Sequence, residues 1–346
     1  MSAYARQYLP SVPIPPFIPA FGLANRHAQT IAARYLRSAL GVALRRERIE
    51  TPDGDFLDLD WAHVPGTPAA PAAAATLALC IVLHGLEGSA GSLYALETYR
   101  QLARRGVAAV GMNFRSCSGE INRTARMYHS GETEDLRFVA RLLRERFPER
   151  TIVAIGFSLG GNVLVKYLGE EGQGGRVAGA QIVARAAVVS VPYDLTAGAA
   201  YTEHGMARMY VRRLLYTLKA KLRQKVALLD GHIDLPGALA ARTFREFDDA
   251  ATAPLHGFAD ADDYYRRSSS GPFLPAVSIP LRLIHAADDP FLPPTAMPVA
   301  AVRANPWLDA AFVDRGGHVG FMAGSLRRPA FWAEARAAEW VAARDR

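Results

Sequence analysis

Four continuous apolar runs, residues 77–83, 107–113, 152–157 and 186–190, alternate with helical stretches at 93–104, 132–147 and 161–168. A strand covered on both faces reads as an unbroken apolar run, and the segments between such strands read as amphipathic helices. This rhythm predicts an α/β chain: a mostly parallel sheet with helices on both faces. The 132–147 stretch shows the logic. Leu136, Val139, Ala140, Leu143 and Phe147 share one face, while Glu132, Glu134 and Asp135 sit in the first turn, where the helix dipole favours negative charge. The rhythm stops at Pro192 and returns after Phe273. In between, helical segments dominate, the longest over residues 208–228. A strand at 281–285, a short helix at 297–303, a last strand at 311–313 and a closing helix at 331–342 follow. The interruption reads as a helical cap inserted between sheet strands. The expected division is a lead and helix at 1–44, core at 45–191, cap at 192–273 and core again at 274–346.

The chain has 346 residues, of which half are hydrophobic, enough for a large core and too many for a disordered chain. Forty basic residues face 33 acidic ones, and the net charge of +7 is spread without a block of like charges, which argues against a nucleic-acid partner. Two cysteines, Cys80 and Cys117, exclude a disulfide scaffold and Cys-rich metal sites. No uncharged apolar stretch reaches the length of a membrane span. The first twenty residues are rich in proline and lack the apolar core of a secretory signal, so a cytoplasmic protein is expected. Residues 25–40 read as an amphipathic helix with Ile31, Tyr35 and Leu36 on one face, a surface helix rather than a membrane anchor. A hairpin is expected from residues 45–51 and 56–63, which flank the turn Pro52-Asp53-Gly54-Asp55. A Pro/Ala-rich loop follows, to residue 75.

The chemistry points to Gly156-Phe157-Ser158-Leu159-Gly160, a G-x-S-x-G pentad between a strand and a helix. A sharp turn there lifts the serine hydroxyl to the sheet edge, near a helix N-terminus that favours developing negative charge. A second Gly-rich segment, His84-Gly85-Leu86-Glu87-Gly88, follows the first long apolar run. The backbone N–H groups of Leu86 and Leu159 are the expected oxyanion donors, with His84 supporting the loop. A serine hydroxyl needs a base, and the base needs an acid to hold its tautomer. His318, in Gly316-Gly317-His318-Val319-Gly320, is the best-placed base. Asp288 and Asp289, after the 281–285 strand, are the candidate acids, and spacing alone does not separate them.

With these segments in view, the chain resembles the YheT-like family of α/β-hydrolases, which is similar to the eukaryotic abhydrolase-domain esterases. The matching stretches are HGLEGS (84–89), FRSCSGE (114–120), YHSGETEDLR (128–137), GFSLGGN (156–162), REFDD (245–249), HGFADADDYY (256–265), HAADDPF (285–291) and GGHVGF (316–321). The resemblance implies Ser158 as nucleophile, His318 as base and Asp289 as acid, the last through its spacing to Pro293. It implies serine-dependent hydrolysis of short to medium acyl or lipid-like esters, with no organic cofactor and no metal. One departure is Ser116, where the family carries Gly.

Other readings fail. There is no P-loop, no H-E-x-x-H helix, and the pentad lacks the spacing of a dinucleotide fingerprint. His129 with Glu132 and Glu134 reads as a capped loop–helix junction, and Tyr264-Tyr265-Arg266-Arg267 as a cap or core contact. Tyr201, Met206, Met209, Tyr210, Leu214, Leu215 and Tyr216 offer the cap's apolar surface, either over the acyl site or as packing against the sheet. The nearby Arg208, Arg212 and Arg213 face either solvent or an anionic head group. The expected partner is a small-molecule ester. An acyltransferase using the same three residues, or a non-catalytic binding protein of this fold, is the alternative.

Overall fold

A computed structural model describes residues 14–37, 41–67, 78–174 and 181–343. The lead before residue 14 and the Pro/Ala run at 68–77 lie outside them. Eight strands form one sheet: β1 (Ala43–Glu50), β2 (Phe56–His63), β3 (Ala78–Leu83), β4 (Ala108–Asn113), β5 (Thr151–Phe157), β6 (Val183–Val189), β7 (Leu281–Ala286) and β8 (Leu308–Val313). Their order is β1-β2-β4-β3-β5-β6-β7-β8. The hairpin β1–β2 joins β4 antiparallel, and every other pairing is parallel.

Helices cover both faces because the strands are apolar on both. Against one face pack α3 (Glu134–Arg146) and α4 (Leu159–Gln173), through Leu136, Val139, Val163 and Leu164. Against the other pack α2 (Leu93–Ala103) and the closing helix α9 (Trp332–Ala342), through Leu96, Tyr99, Ala337 and Trp340. Sequence order reverses around β3, which lies between β4 and β5. The crevice beyond the carboxyl ends of β3 and β5 is therefore the topological switch point, where open α/β sheets bind ligands.

Between β6 and β7 the chain is helical. It includes α5 (Leu195–Thr202), α6 (Ala207–Gln224) and α7 (Ala261–Ser268), with short helical turns between them. Val211, Leu215, Leu222, Leu229 and Phe247 of this cap form an apolar cluster that also takes in Met127 from the loop before α3. Tyr264 and Tyr265 are buried, while Arg266 and Arg267 pair with Asp263. The short helix after β7 is α8 (Val299–Ala304). Beyond β8 the expectation of a last strand is corrected: β9 (Met322–Gly324) and β10 (Pro329–Phe331) form a separate two-stranded ribbon. Three-residue strands carry too little periodicity to be seen in a sequence.

The first helix, α1 (Arg26–Leu36), starts where the Asn25 side chain accepts the N–H groups of His27 and Ala28. Its inward stripe is Gln29, Ala33 and Arg37, all buried. Of the expected apolar face, Leu36 packs with Ala33 against Met322 and Phe331, while Ile31 and Tyr35 turn outward, 42% and 76% exposed. The helix packs on a loop that presents bare backbone groups, so a polar stripe meets it better than an apolar one.

Candidate active site

Ser158 sits between β5 and α4 with φ 51° and ψ −119°, a left-handed region that costs a non-glycine residue about 1–3 kcal/mol. Two backbone hydrogen bonds hold it there: Ser158 N–H donates to Val189 O at 2.8 Å, and Asn162 N–H to Ser158 O at 3.0 Å. The pentad's last glycine is required by close approach. A Cβ on Gly160 would lie 2.4 Å from His84 O and 2.8 Å from the Leu83 carbonyl carbon. The turn is thereby pressed onto the end of β3, which brings Gly85 beside Ser158.

His318 comes to Ser158 from the loop after β8. Its Nε2 lies 2.9 Å from Ser158 Oγ, and its Nδ1 lies 2.8 Å from Asp289 Oδ2. Asp289 is fully buried, and its other oxygen accepts the Phe291 N–H at 2.8 Å. The neighbouring carboxylate points elsewhere. Asp288 Oδ1 accepts the Gly317 N–H at 2.9 Å, and burial raises its pKa against the pull of that N–H and of Gly316. Asp289 thus meets the imidazole, and Asp288 braces the loop that carries it.

That loop is held from a side that sequence reasoning missed. Thr30 Oγ1 accepts the His318 N–H at 2.9 Å and donates to Arg26 O at 2.8 Å. The Gln29 amide accepts the Met322 N–H at 2.7 Å and donates to Met322 O at 3.0 Å. Arg37, ion-paired with buried Glu334 at 2.6 Å, donates to Val319 O at 2.6 Å. Gly317 has φ 60°, and a Cβ there would lie 2.5 Å from Arg26 O, so the loop and α1 touch backbone to backbone. Ser190 Oγ accepts the Val319 N–H from the β6 side at 3.0 Å. Residues 25–37 thus form a surface helix, as expected, that also braces the loop carrying His318; positions 38–40 of the expected helix lie outside the described residues.

The loop after β3 is fixed by two tyrosines. Gly85 N–H donates to Tyr94 Oη at 2.8 Å, and Glu87 N–H to Tyr128 Oη at 2.9 Å. Leu86 lies between these two tied positions. Leu159 opens α4, so its N–H has no intrahelical acceptor. His84 is buried. Its Nε2 accepts the Phe114 N–H at 3.1 Å, which leaves Nδ1 to donate to Gly85 O at 2.8 Å, and burial lowers its pKa to about 4. It is a neutral brace. Glu87 has φ 55°, and its carboxylate accepts from Tyr128 Oη at 2.7 Å and from Lys221 Nζ of the cap at 2.6 Å.

The family-like stretches away from Ser158 are mostly bracing. Buried Arg115 grips Asp135 through two hydrogen bonds of 2.8 and 2.7 Å and reaches Asp55 at 3.0 Å. The imidazole of His129 accepts the Gly131 N–H, and Glu132 accepts the Glu134 N–H at the start of α3, a loop–helix junction. Among the described residues no group of three or more His, Cys, Asp or Glu is placed to hold a metal ion.

Ser116 stands at φ 62°; its hydroxyl donates to Asn122 Oδ1 at 2.5 Å and accepts the Asn122 N–H at 3.2 Å. The left-handed backbone costs serine about 1 kcal/mol, and the two hydrogen bonds together return about 1–3 kcal/mol. Ser116→Gly relieves the strain and loses both bonds, so it should be less stable than wild type by no more than about 2 kcal/mol. Ser116→Ala keeps the strain and loses both bonds, and should be less stable than wild type by about 1–3 kcal/mol. Urea unfolding of the three proteins checks the order.

A column of rings links this centre to the cap. Phe291 lies 4.5 Å from the His318 ring, Tyr210 stacks on Phe291 at 5.1 Å, and His27 stacks on Tyr210 at 5.9 Å. Of the cap side chains offered for an acyl site, Leu215 is buried in the cap core. Met206, Met209 and Tyr216 face outward and line no interior surface.

A family model described as the alpha/beta hydrolase fold matches residues 79–324. The putative esterase YheT of Escherichia coli is 41% identical over 327 residues, covering 94% of this chain and 92% of the relative. The monoacylglycerol lipase of Saccharomyces cerevisiae is 31% identical over 252 residues, covering 70% of this chain and 54% of the lipase. The human phospholipase ABHD3 is 28% identical, covering 86% and 71%. The Pyrococcus furiosus esterase Pf2001 superposes with a TM-score of 0.52 at 16% identity, covering 86% and 92%, and shows the shared fold. No described helix is long and apolar enough to cross a membrane. With a matching family model across most of its length and the E. coli relative aligned almost end to end, the chain belongs to the YheT-like family of α/β-hydrolases, related to the eukaryotic abhydrolase-domain proteins.

Proposed function

We propose that the chain hydrolyses carboxylic esters through a Ser158 acyl-enzyme. The observation that carries this reading is the chain of hydrogen bonds from Ser158 Oγ through the His318 ring to buried Asp289. Ser158 Oγ attacks the ester carbonyl carbon while His318 Nε2 takes its proton. Asp289 keeps the Nδ1–H form of the ring and stabilises the imidazolium. The N–H groups of Leu86 and Leu159 hold the negative oxygen of the tetrahedral intermediate. His318 then gives its proton to the departing alcohol. In the second half a water, deprotonated by His318, attacks the acyl carbon and frees Ser158.

The substrate class follows from the setting. Phe291 and Tyr210 place apolar ring surface beside His318. The names of two relatives, a monoacylglycerol lipase and a phospholipase, support acyl chains of lipid type. Each buried CH₂ contributes about 0.8 kcal/mol, so four added carbons raise kcat/KM by roughly two orders of magnitude if all are buried. A series of p-nitrophenyl esters from acetate to decanoate tests this. A rise to medium chains is expected, and a steady fall from acetate onward would defeat it. Adding a simple alcohol to the same assay separates free acid from a new ester. Exclusive formation of new ester would identify an acyltransferase.

Thr30 is the positioning residue for His318 in this mechanism. Thr30→Val keeps the shape and leaves the His318 N–H without its acceptor. Displacements of about an ångström can cost about a hundredfold in rate. The expected result is a kcat lower by roughly ten- to a hundredfold at nearly constant KM, with Thr30→Ser restoring it. Equal loss in Thr30→Ser would remove the hydroxyl from the explanation.

A further inference from the structure

Helix α6 is built with two unlike faces, and only one is used by the fold. Ala207, Val211, Leu215, Leu218 and Leu222 are buried in the cap. At about 100° per residue the exposed Arg208, Met209, Arg212, Arg213, Tyr216 and Arg223 fall within one sector of roughly 140°. The helix carries six basic residues and no acidic one. Lys221 is paired with Glu87, and Lys219 donates to Ala241 O. The four arginines make no ion pair among the described residues. Between them, Met209 is 68% and Tyr216 71% exposed.

The face continues onto α1, which also lacks any acidic residue. His27 of α1 meets Tyr210 of α6 in the ring stack. Ile31, Arg34 and Tyr35 lie one and two turns further along the same stripe as His27, and all three are exposed. Unpaired cations interleaved with exposed apolar side chains are the composition of a helix that lies in a membrane interface. The Tyr210–Phe291–His318 column puts this surface on the Ser158 side of the molecule.

We propose that the outer faces of α6 and α1 dock on an anionic phospholipid surface. The arginines pair with lipid phosphates, while Met209, Tyr216 and Tyr35 enter the headgroup–acyl boundary. Charge complementarity selects an anionic surface, and the exposed apolar side chains select a bilayer over a bare polyanion.

Co-sedimentation of the full chain with phosphatidylcholine vesicles, with and without phosphatidylglycerol, tests this. Binding is expected with phosphatidylglycerol, weakening as salt is raised. Arg208→Glu/Arg212→Glu/Arg213→Glu should lose about a hundredfold or more in vesicle affinity. Met209→Ser/Tyr216→Ser should lose about tenfold while binding a short DNA duplex no differently from wild type. Both variants should hydrolyse a water-soluble short ester within about twofold of wild type, which also shows that they are folded. Ser158→Ala should bind vesicles normally, so failure of the ester-hydrolase reading and failure of this one are distinguishable. No binding by the wild type at low salt, unchanged binding by the triple variant, or binding indifferent to Met209 and Tyr216 overturns the proposal.

Discussion

Ser158→Ala is expected to lower kcat/KM for a p-nitrophenyl ester by about 10⁶-fold, with the unfolding midpoint nearly unchanged. The size follows from what the hydroxyl does in the proposed mechanism. Without it no acyl-enzyme forms, and the oxyanion N–H groups and binding alone leave a residual acceleration of about 10³–10⁴ over water. The small change in stability follows from what alanine keeps. The strained backbone at φ 51° is unaltered, and the Ser158 N–H still donates to Val189 O. Only the hydrogen bond to His318 Nε2 is lost, worth about 0.5–1.5 kcal/mol. A fluorophosphonate should label the wild type at Ser158 and leave the variant unlabelled. Activity within tenfold of wild type in folded Ser158→Ala protein would refute serine catalysis.

The residues that make this expectation specific were partly legible in the sequence. Strands buried on both faces announce themselves as apolar runs, so β3 to β7 could be read directly. The Gly156–Gly160 pentad could be read because its glycines mark places where backbone meets backbone. The role of α1 could not. Periodicity finds apolar stripes, and the stripe that matters here is Gln29, Ala33 and Arg37, two of them polar. Nothing local shows that residue 30 meets residue 318, because that contact depends on how the chain closes around the sheet. The same holds for Tyr94 and Tyr128. Their hydroxyls fix the loop after β3, yet in the sequence they look like ordinary core aromatics. Ser116 was visible as a departure from glycine. Its cause, a left-handed backbone offset by Asn122, needed coordinates.

The two adjacent aspartates should give very different variants. Asp289→Asn is expected to lower kcat by about 10⁴-fold, and Asp288→Asn by less than tenfold. Asp289 uses both oxygens, one toward His318 Nδ1 and the other accepting the Phe291 N–H. An asparagine there can offer its oxygen to only one of those donors. If the oxygen stays with the Phe291 N–H, the amide NH₂ faces His318 Nδ1 and selects the tautomer protonated on Nε2. That ring cannot accept the Ser158 proton, so the nucleophile is present but unactivated. Asp288 has a lighter task. Its Oδ1 accepts the Gly317 N–H, and an asparagine oxygen can do the same. Burial already raises the Asp288 pKa, so a neutral amide relieves part of a desolvation cost and should leave the loop in place. Steady-state kinetics of the two variants on one ester, with fluorophosphonate labelling rates alongside, provide the measurement. Labelling should slow with kcat in Asp289→Asn and stay near wild type in Asp288→Asn. The opposite ranking would move the acid to Asp288 and require the Gly316–Phe321 loop to shift before reaction.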